Sequence, residues 1–270
     1  PNACPNCGPQ LAAWDSDGNL KAEQEQALQM GIDSLKSGGI VALKGVGGYQ
    51  LLVDAGNSEA VDRLRARKRR SEKPFAVMME TVEAVKQVCR LSPVEERLLA
   101  SPESPIVILY RDRRSEGDIV SLSVAPGNPT LGVMLPYTPL HHILMSDMKR
   151  PVVATSGNIS NEPICIDEVE ALEKLGEFAD LFLVHDRPIA RYVDDSVVRI
   201  VKGRELMMRR ARGYAPMPVQ MGWENSGVLA VGAHQKNSVA LQLKQNAFIS
   251  QHIGDLENEE SMRSFNDAID

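Results

Sequence analysis

From residue 22 to residue 215, short apolar runs alternate with segments whose apolar residues recur at helical spacing. No other feature of the chain constrains its fold as strongly. Leu28, Ile32 and Leu35 share one helical face in 22–37. GGIVALKGVGGYQLLVD (38–54) then reads as strand, glycine loop, strand. Asn57 or Ser58 caps a helix expected to run through Arg70. PFAVMM (74–79), PIVILY (105–110), LGVML (131–135), PVVATS (151–156), LFLV (181–184), DSVVRIV (195–201) and LMMR (206–209) read as strands. Ser92-Pro93-Val94-Glu95 and Asp167-x-x-Glu170 have capping-box spacing, and Thr138-Pro139 opens a further helix. The pattern predicts one α/β domain over residues 22–215, a twisted mixed sheet with flanking helices.

Outside that domain the pattern changes. Residues 1–13 are turn-rich and carry Cys4 and Cys7. A proline- and glycine-bearing linker is expected at 216–227. GVLAVGAHQKNSVALQLKQNAFISQ (227–251) reads as strand, turn, strand, turn, strand, the opening of a separate domain over 228–270. The chain starts at Pro1 and ends at Asp270 in an acidic, helix-like stretch, so it is read as a piece of a longer protein.

Hydrophobic residues make up 43% of the chain and charged residues 24%, as in soluble globular proteins. No apolar run is long enough to cross a bilayer, and no signal peptide is visible. The net charge of -6 argues against a general polyanion binder. Of four cysteines, Cys4 and Cys7 form a close pair while Cys89 and Cys165 stand alone as small buried residues. That is no disulfide framework, and a reducing cytoplasm is the expected compartment.

Several constellations carry chemistry. Lys44-Gly45-Val46-Gly47-Gly48 follows a strand, where glycine N–H groups and a lysine suit phosphate oxygens; a plain strand-to-strand turn explains it equally. Arg63, Arg65, Arg67, Lys68, Arg69, Arg70 and Lys73 repel one another, so an anion or full solvation is implied. On one continuous helix Arg63, Arg67 and Arg70 would share a face. Thr155-Ser156-Gly157-Asn158 sits at a strand's carboxyl end, where ligands of α/β sheets bind. Asp194 or Asp195 offers a magnesium ligand, and Arg209, Arg210 and Arg212 suit a pyrophosphate; a turn aspartate and surface arginines are the plainer explanation. Cys4-Pro5-Asn6-Cys7 has the spacing of half a zinc knuckle. Met207 and Met208 are expected in the core.

In the order CPNCGP, GGIVALKGVGGYQL, RARKRRSEKPFAVMM, LGVMLPYTPLHHIL, ATSGNIS, DDSVVR, RRARGYAP and VGAHQKNSVAL…SQHIGDL, the motifs together resemble the HypF family of hydrogenase-maturation carbamoyltransferases. The resemblance covers nearly the whole chain. It implies a zinc-finger remnant at 1–13, a YrdC-like ATP-binding domain at 22–215, and from 228 the first strands of a carbamoyl-transfer domain similar to the actin/hexokinase fold. It implies ATP and magnesium as cofactors, with zinc bound in the full-length protein through Cys4, Cys7 and two further ligands.

Carried over by motif, the family's lysine-x-arginine pair falls on Lys68 and Arg70, its serine-x-asparagine pair on Ser156 and Asn158, and its strand serine on Ser196. The late arginine falls on Arg209, Arg210 or Arg212, with Arg210 preferred. Lys68, Arg70 and Arg210 are the implied catalytic cations. Lys44, Gly47, Gly48, Lys73, Ser156, Asn158, Ser196 and Arg209 are implied to bind ATP or the carbamoyl group. Lys44 stands where threonylcarbamoyl-adenylate synthases have a threonine-rich segment, which fits a smaller acceptor. The implied reaction turns ATP and carbamate, drawn from carbamoyl phosphate, into carbamoyl-adenylate and pyrophosphate, for delivery to a cysteine of HypE. A threonylcarbamoyl-adenylate synthase and a double-stranded-RNA-binding module are the alternatives.

Overall fold

The computed structural model describes residue 4 and residues 7–112, 119–159 and 162–270. Pro5, Asn6 and Ser160, which belong to two of the motifs above, lie outside them. In chain order the elements are β1 (Leu11–Trp14), β2 (Leu20–Glu23), α1 (Gln24–Lys36), β3 (Val41–Lys44), β4 (Tyr49–Asp54), α2 (Ser58–Arg67) and β5 (Ala76–Met78). Next come α3 (Val82–Val88), β6 (Cys89–Arg90), α4 (Pro93–Leu99), β7 (Ile106–Arg111), β8 (Thr130–Met134), α5 (Pro139–Met148), β9 (Val152–Ser156) and α6 (Glu168–Leu175). Last are β10 (Leu181–His185), β11 (Val197–Val201), β12 (Arg204–Arg209), β13 (Val219–Ala230), β14 (Ala240–Ile249) and α7 (Glu259–Ile269).

The helices begin where their caps dictate. Ser92 and Glu95 complete a reciprocal capping box, and Thr138 accepts from the His141 N–H with Pro139 in the first turn. Asp167 accepts from the N–H groups of Val169 and Glu170. Asn57 caps α2.

Twelve strands form one mixed sheet in the order β12-β11-β7-β8-β5-β9-β4-β3-β10-β1-β2, with β6 beside β7. Its central strands β3 and β4 are buried along their whole length, so apolar residues run consecutively through Val41–Leu43 and Leu51–Val53. Their side chains divide by parity. Ala42, Leu51 and Val53 join a core with α2, α3, α4 and α6, while Val41, Leu43 and Leu52 join a second core with α1 and α5. The α/β expectation holds, and Cys89 and Cys165 are buried.

Four expectations are corrected. β1 pairs with β10, so 11–13 belongs to the large sheet rather than to the cysteine segment. Residues 219–227, expected as linker, are the first part of β13, which pairs antiparallel with β14 through two register shifts. Among the described residues the stretch 227–251 holds two strands, β13 and β14, rather than three. Met208 is exposed, because side chains alternate across β12 and Met207 takes the face that packs against the core.

The basic run is also rearranged. α2 stops at Arg67, Lys68 is its C-cap, and Arg69 adopts a left-handed φ of 49°. The chain turns there, so Arg70 leaves the face it would share with Arg63 and Arg67. Arg63 donates to the Gly38 carbonyl, and Arg67 to Phe178 O and Asp180. Arg65 donates to the carbonyls of Arg70 (2.8 Å) and Val124 (2.9 Å), which fixes the 70–75 loop.

Candidate functional site

The carboxyl end of β9 carries the polar half of the site. Pairing of Gln50 with Ser156 fixes the strand register there. The Ser156 hydroxyl donates to Asn158 Oδ1 (2.7 Å), and Asn158 Nδ2 donates to the Glu162 carbonyl (2.7 Å). A Cβ on Gly157 would lie 2.7–2.9 Å from Tyr49 atoms, so glycine is required where the loop crosses β4. Lys68 Nζ reaches the Ser156 carbonyl at 2.7 Å and the Asn158 carbonyl at 3.1 Å. Burial, then the charges of Arg70 and Lys73, pull its pKa down to about 7.

The loop after α2 carries the cationic half. Arg70 donates through Nε to Lys73 O (3.0 Å), through Nη1 to Thr155 Oγ1 (3.3 Å), and through Nη2 to Pro74 O. Its guanidinium lies 4.7 Å from the Phe75 ring centroid, as does that of Arg65. Burial, Arg65 and Arg209 lower the Arg70 pKa to about 10. Lys73 is also lowered, by burial and then by Arg70, Arg209 and Lys236. Cations that suppress one another's charge in this way mark a place where an anion is stabilised.

A third segment brings carboxylates to these cations. Val193 donates to the Gly47 carbonyl (2.8 Å), and a Cβ on Gly47 would lie 2.7 Å from Val193 O. The glycine loop thus seats the strap that carries Asp194 and Asp195. Asp194 pairs with Arg209, although burial still raises its pKa. Asp195 pairs with Arg212 at 2.9 Å, and the Arg212 guanidinium lies 3.5 Å from the Tyr137 ring centroid.

These pieces surround a cavity of about 630 Å³. Of the residues expected from the sequence, Arg70, Lys73, Ser156, Asn158, Arg209 and Arg210 lie on its wall. Thr155, Glu162 and Asp194 lie there too, and across from them the second unit supplies Lys236, Ser238 and His252. Burial, followed by Arg209 and Lys236, lowers His252 to about 4, so its ring is neutral at pH 7. Lys236, Ser238 and His252 lie in the loops before and after β14, far in sequence from the other wall residues.

Some predicted residues are placed differently. Lys68 stands behind the wall, bonded to the Ser156 and Asn158 carbonyls. Arg210 borders the cavity but commits its guanidinium to the carbonyls of Tyr214 (2.7 Å) and Met217. Arg209 lies on the same wall with its guanidinium paired to Asp194. Lys44 is 1% exposed and binds Glu168 and the His185 carbonyl (2.9 Å), away from the cavity. Gly48 packs on Ile164, and Gly47 on Val193. Ser196 is fully buried; its hydroxyl accepts from Ala211 N–H (2.8 Å) and donates to Arg212 O (2.9 Å), which makes it a structural link. Cys4 and Cys7 are exposed thiols. Two thiolates are half a tetrahedral zinc set, and among the described residues no group of three or more possible metal ligands occurs.

Comparison with known proteins matches this arrangement. The Sua5/YciO/YrdC family model, described as "Telomere recombination", matches residues 33–211, and the chain belongs to that family. The model of the HypF Kae1-like domain matches residues 224–270. The chain is 48% identical over 261 residues to carbamoyltransferase HypF of Synechocystis sp., covering 96% of this chain and 34% of that protein. It resembles a crystal structure of full-length HypF in a phosphate- and nucleotide-bound form (TM-score 0.91, 46% identity, 100% of this chain and 35% of that one). It also resembles the crystal structure of T. kodakarensis HypF (TM-score 0.93, 37% identity, 99% of this chain and 34% of that one). The chain spans about a third of the length of the curated relatives it matches.

Proposed function

We propose that this chain activates a carbamoyl group with ATP, as part of a HypF-type carbamoyltransferase acting in hydrogenase maturation. The observation that carries the reading is the clustering of Arg70, Lys73 and Arg209 on one cavity wall beside Ser156 and Asn158. Carbamate, derived from carbamoyl phosphate, attacks the α-phosphorus of ATP through an oxygen. The bond from the α-phosphorus to the bridging oxygen breaks, and pyrophosphate leaves with that oxygen. Carbamate is already an anion, so no general base is required. Positioning and charge stabilisation do the work: Arg70, Lys73 and Arg209 stabilise the departing pyrophosphate, while Ser156 and Asn158 orient the phosphate and carbamoyl oxygens. Lys68 holds those two residues in place from behind.

Asp194 and Asp195 bring carboxylate oxygens to the wall, the donor chemistry that magnesium takes. Each already faces an arginine, so magnesium carried by the phosphates fits here better than a pre-bound ion. Zinc belongs, on this reading, to Cys4 and Cys7 together with ligands outside this chain. In the whole protein the adenylate passes to the transfer domain and then to a cysteine of HypE, in the cytoplasm. Among the described residues no helix is long and apolar enough to cross a membrane.

The test is pyrophosphate release from ATP in the presence of carbamoyl phosphate. Arg70→Ala is expected to lower it by about 10²–10³-fold, the cost of losing one charge-stabilising donor. Unchanged release would remove the assignment. Release that requires threonine would instead indicate a threonylcarbamoyl-adenylate synthase, a reading that the HypF-type segment at 224–270 disfavours. RNA binding is supported less well, since Arg63, Arg65 and Arg67 are turned to protein carbonyls.

A further inference from the structure

Lys174 lies in the last turn of α6, and its ammonium meets three carboxylates from three parts of the chain. Nζ is 2.8 Å from Glu162, 3.1 Å from Glu170 and 2.8 Å from Glu260. Glu170 precedes it by one turn on the same helix. Glu260 opens α7, in the second unit. Glu162 follows the Asn158 loop and borders the cavity. The Glu260 contact is a hydrogen bond, and the Glu162 and Glu170 carboxylates face the same ammonium as ion pairs. The three acidic groups would repel one another around any neutral side chain at this position.

The contacts continue inward from Glu162. Its carbonyl accepts from Asn158 Nδ2 (2.7 Å), its N–H donates to the Ile159 carbonyl (3.1 Å), and Asn158 Oδ1 accepts from the Ser156 hydroxyl (2.7 Å). A continuous series of polar contacts therefore runs from α7 through Lys174 to the two polar residues of the cavity. Other polar contacts also join the two units: Gln251 Nε2 donates to Tyr192 O (2.7 Å), His252 N donates to Arg210 O (2.8 Å), and the Tyr192 side chain hydrogen-bonds Ser264 of α7. Of the contacts named, the one through Lys174 is the one that leads to the Asn158 loop.

We propose that Lys174 is a positioning residue for Asn158 and Ser156, and that its bond to Glu260 makes the shape of this cavity wall depend on the seating of α7. The inference rests on the proposed activation reaction for its kinetic effect, but not for its structural one. A unit that seats imperfectly would leave Asn158 loosely held, and activation would slow before any product is made without its acceptor domain in place.

The experiment compares Lys174→Met, Lys174→Arg, Glu260→Gln and the Lys174→Met/Glu260→Gln double variant in the intact protein. Pyrophosphate release is measured together with amide exchange at Glu162 and Cys165, whose N–H groups bond to Ile159 O and Gly157 O. Lys174→Met and Glu260→Gln are each expected to lower kcat/KM by about tenfold, the scale of a small misplacement of reacting groups. The double variant is expected to be no worse than Lys174→Met alone, because both changes cut one path. Lys174→Arg should recover most of the rate, and Glu260→Gln should speed exchange at both amides. Glu260 is a partly exposed surface residue, so that variant reports even where Lys174→Met folds poorly. Unaltered kinetics and exchange in Glu260→Gln, or losses that simply multiply in the double variant, would overturn the proposal. If the unmodified protein releases no pyrophosphate yet Glu260→Gln still speeds exchange, the activation reading fails and the positioning role stands.

Discussion

Lys68 Nζ contacts both oxygens of Asn158, the carbonyl at 3.1 Å and the side-chain oxygen at 3.3 Å, from a position only 7% exposed. The sequence motif places this lysine against phosphate; the structure places it against the loop that would meet phosphate. Its chemistry is then that of a buried cation held by neutral dipoles, with Arg70 and Lys73 as neighbouring positive charges.

Proton uptake should report that arrangement. At pH 8 an amine with a pKa near 7 is mostly uncharged, and an anion beside it favours the ammonium. Nucleotide binding is expected to take up about one proton at pH 8 and almost none from this group at pH 6. Calorimetric titration in two buffers of different ionisation enthalpy measures the uptake. It should fall sharply in Lys68→Met.

The same shift sets a pH dependence of stability. The Lys68 pKa in the folded chain, about 7, lies below the ordinary lysine value of 10.5. Between those values the unfolded chain binds more protons, so the stability of the unliganded protein rises with pH across that window. The penalty is fully present below pH 7 and disappears above about pH 10.5. Urea unfolding at pH 7 and pH 9 should show a difference that shrinks in Lys68→Met.

Ser196→Ala separates structural from ligand-binding roles. The variant leaves the Ala211 N–H without its acceptor in a buried place, a loss of about 1–3 kcal/mol. Nucleotide affinity of the folded protein should change little, because the hydroxyl does not face the cavity. A large loss of affinity at unchanged stability would restore the ligand-binding role implied by the motif.

Asp195→Asn tests the support beneath Arg212. The pair is largely buried, with side-chain exposures of 17% and 16%, and the variant removes the carboxylate charge from a guanidinium that keeps its stacking on Tyr137 and its bonds to the Glu103 and Ser104 carbonyls. The expected cost is about 1–3 kcal/mol in urea unfolding, below the range for breaking a fully buried pair because the other Arg212 bonds remain. A cost below about 0.5 kcal/mol would mean that the stacking and the carbonyl bonds suffice to hold Arg212.

Gly47→Ala should act at a distance. The new methyl would sit 2.7 Å from Val193 O and 2.8 Å from Val193 Cβ, so the strap bearing Asp194 and Asp195 must shift. A destabilisation of about 1–3 kcal/mol is expected, with weaker nucleotide binding through Arg209. Normal binding and stability would show that the strap has room to move.

The alternation of apolar runs and helical faces was enough to place most strands and caps, because those signals are local: Ser92 and Glu95, or Thr138 and Pro139, act within one turn of chain. The boundary errors came from pairing partners far away. Leu11–Trp14 is a strand because β10 lies beside it, and nothing in its own four residues announces that. Likewise 219–227 reads as linker until β14 is seen to pair with it.

For the site, residue type and motif order determined which side chains are polar, cationic and near glycine turns, and so pointed to Arg70, Lys73, Ser156, Asn158 and Arg209. Tertiary structure alone decided which of them face a common space. A lysine or arginine is long enough to serve a ligand or a carbonyl with equal ease, so Lys44, Lys68 and Arg210 could be assigned only once their nearest oxygens were known. The presence of His252 and Lys236 across the cavity was likewise decided by the docking of two units, a contact that depends on surfaces distant in sequence rather than on any local pattern.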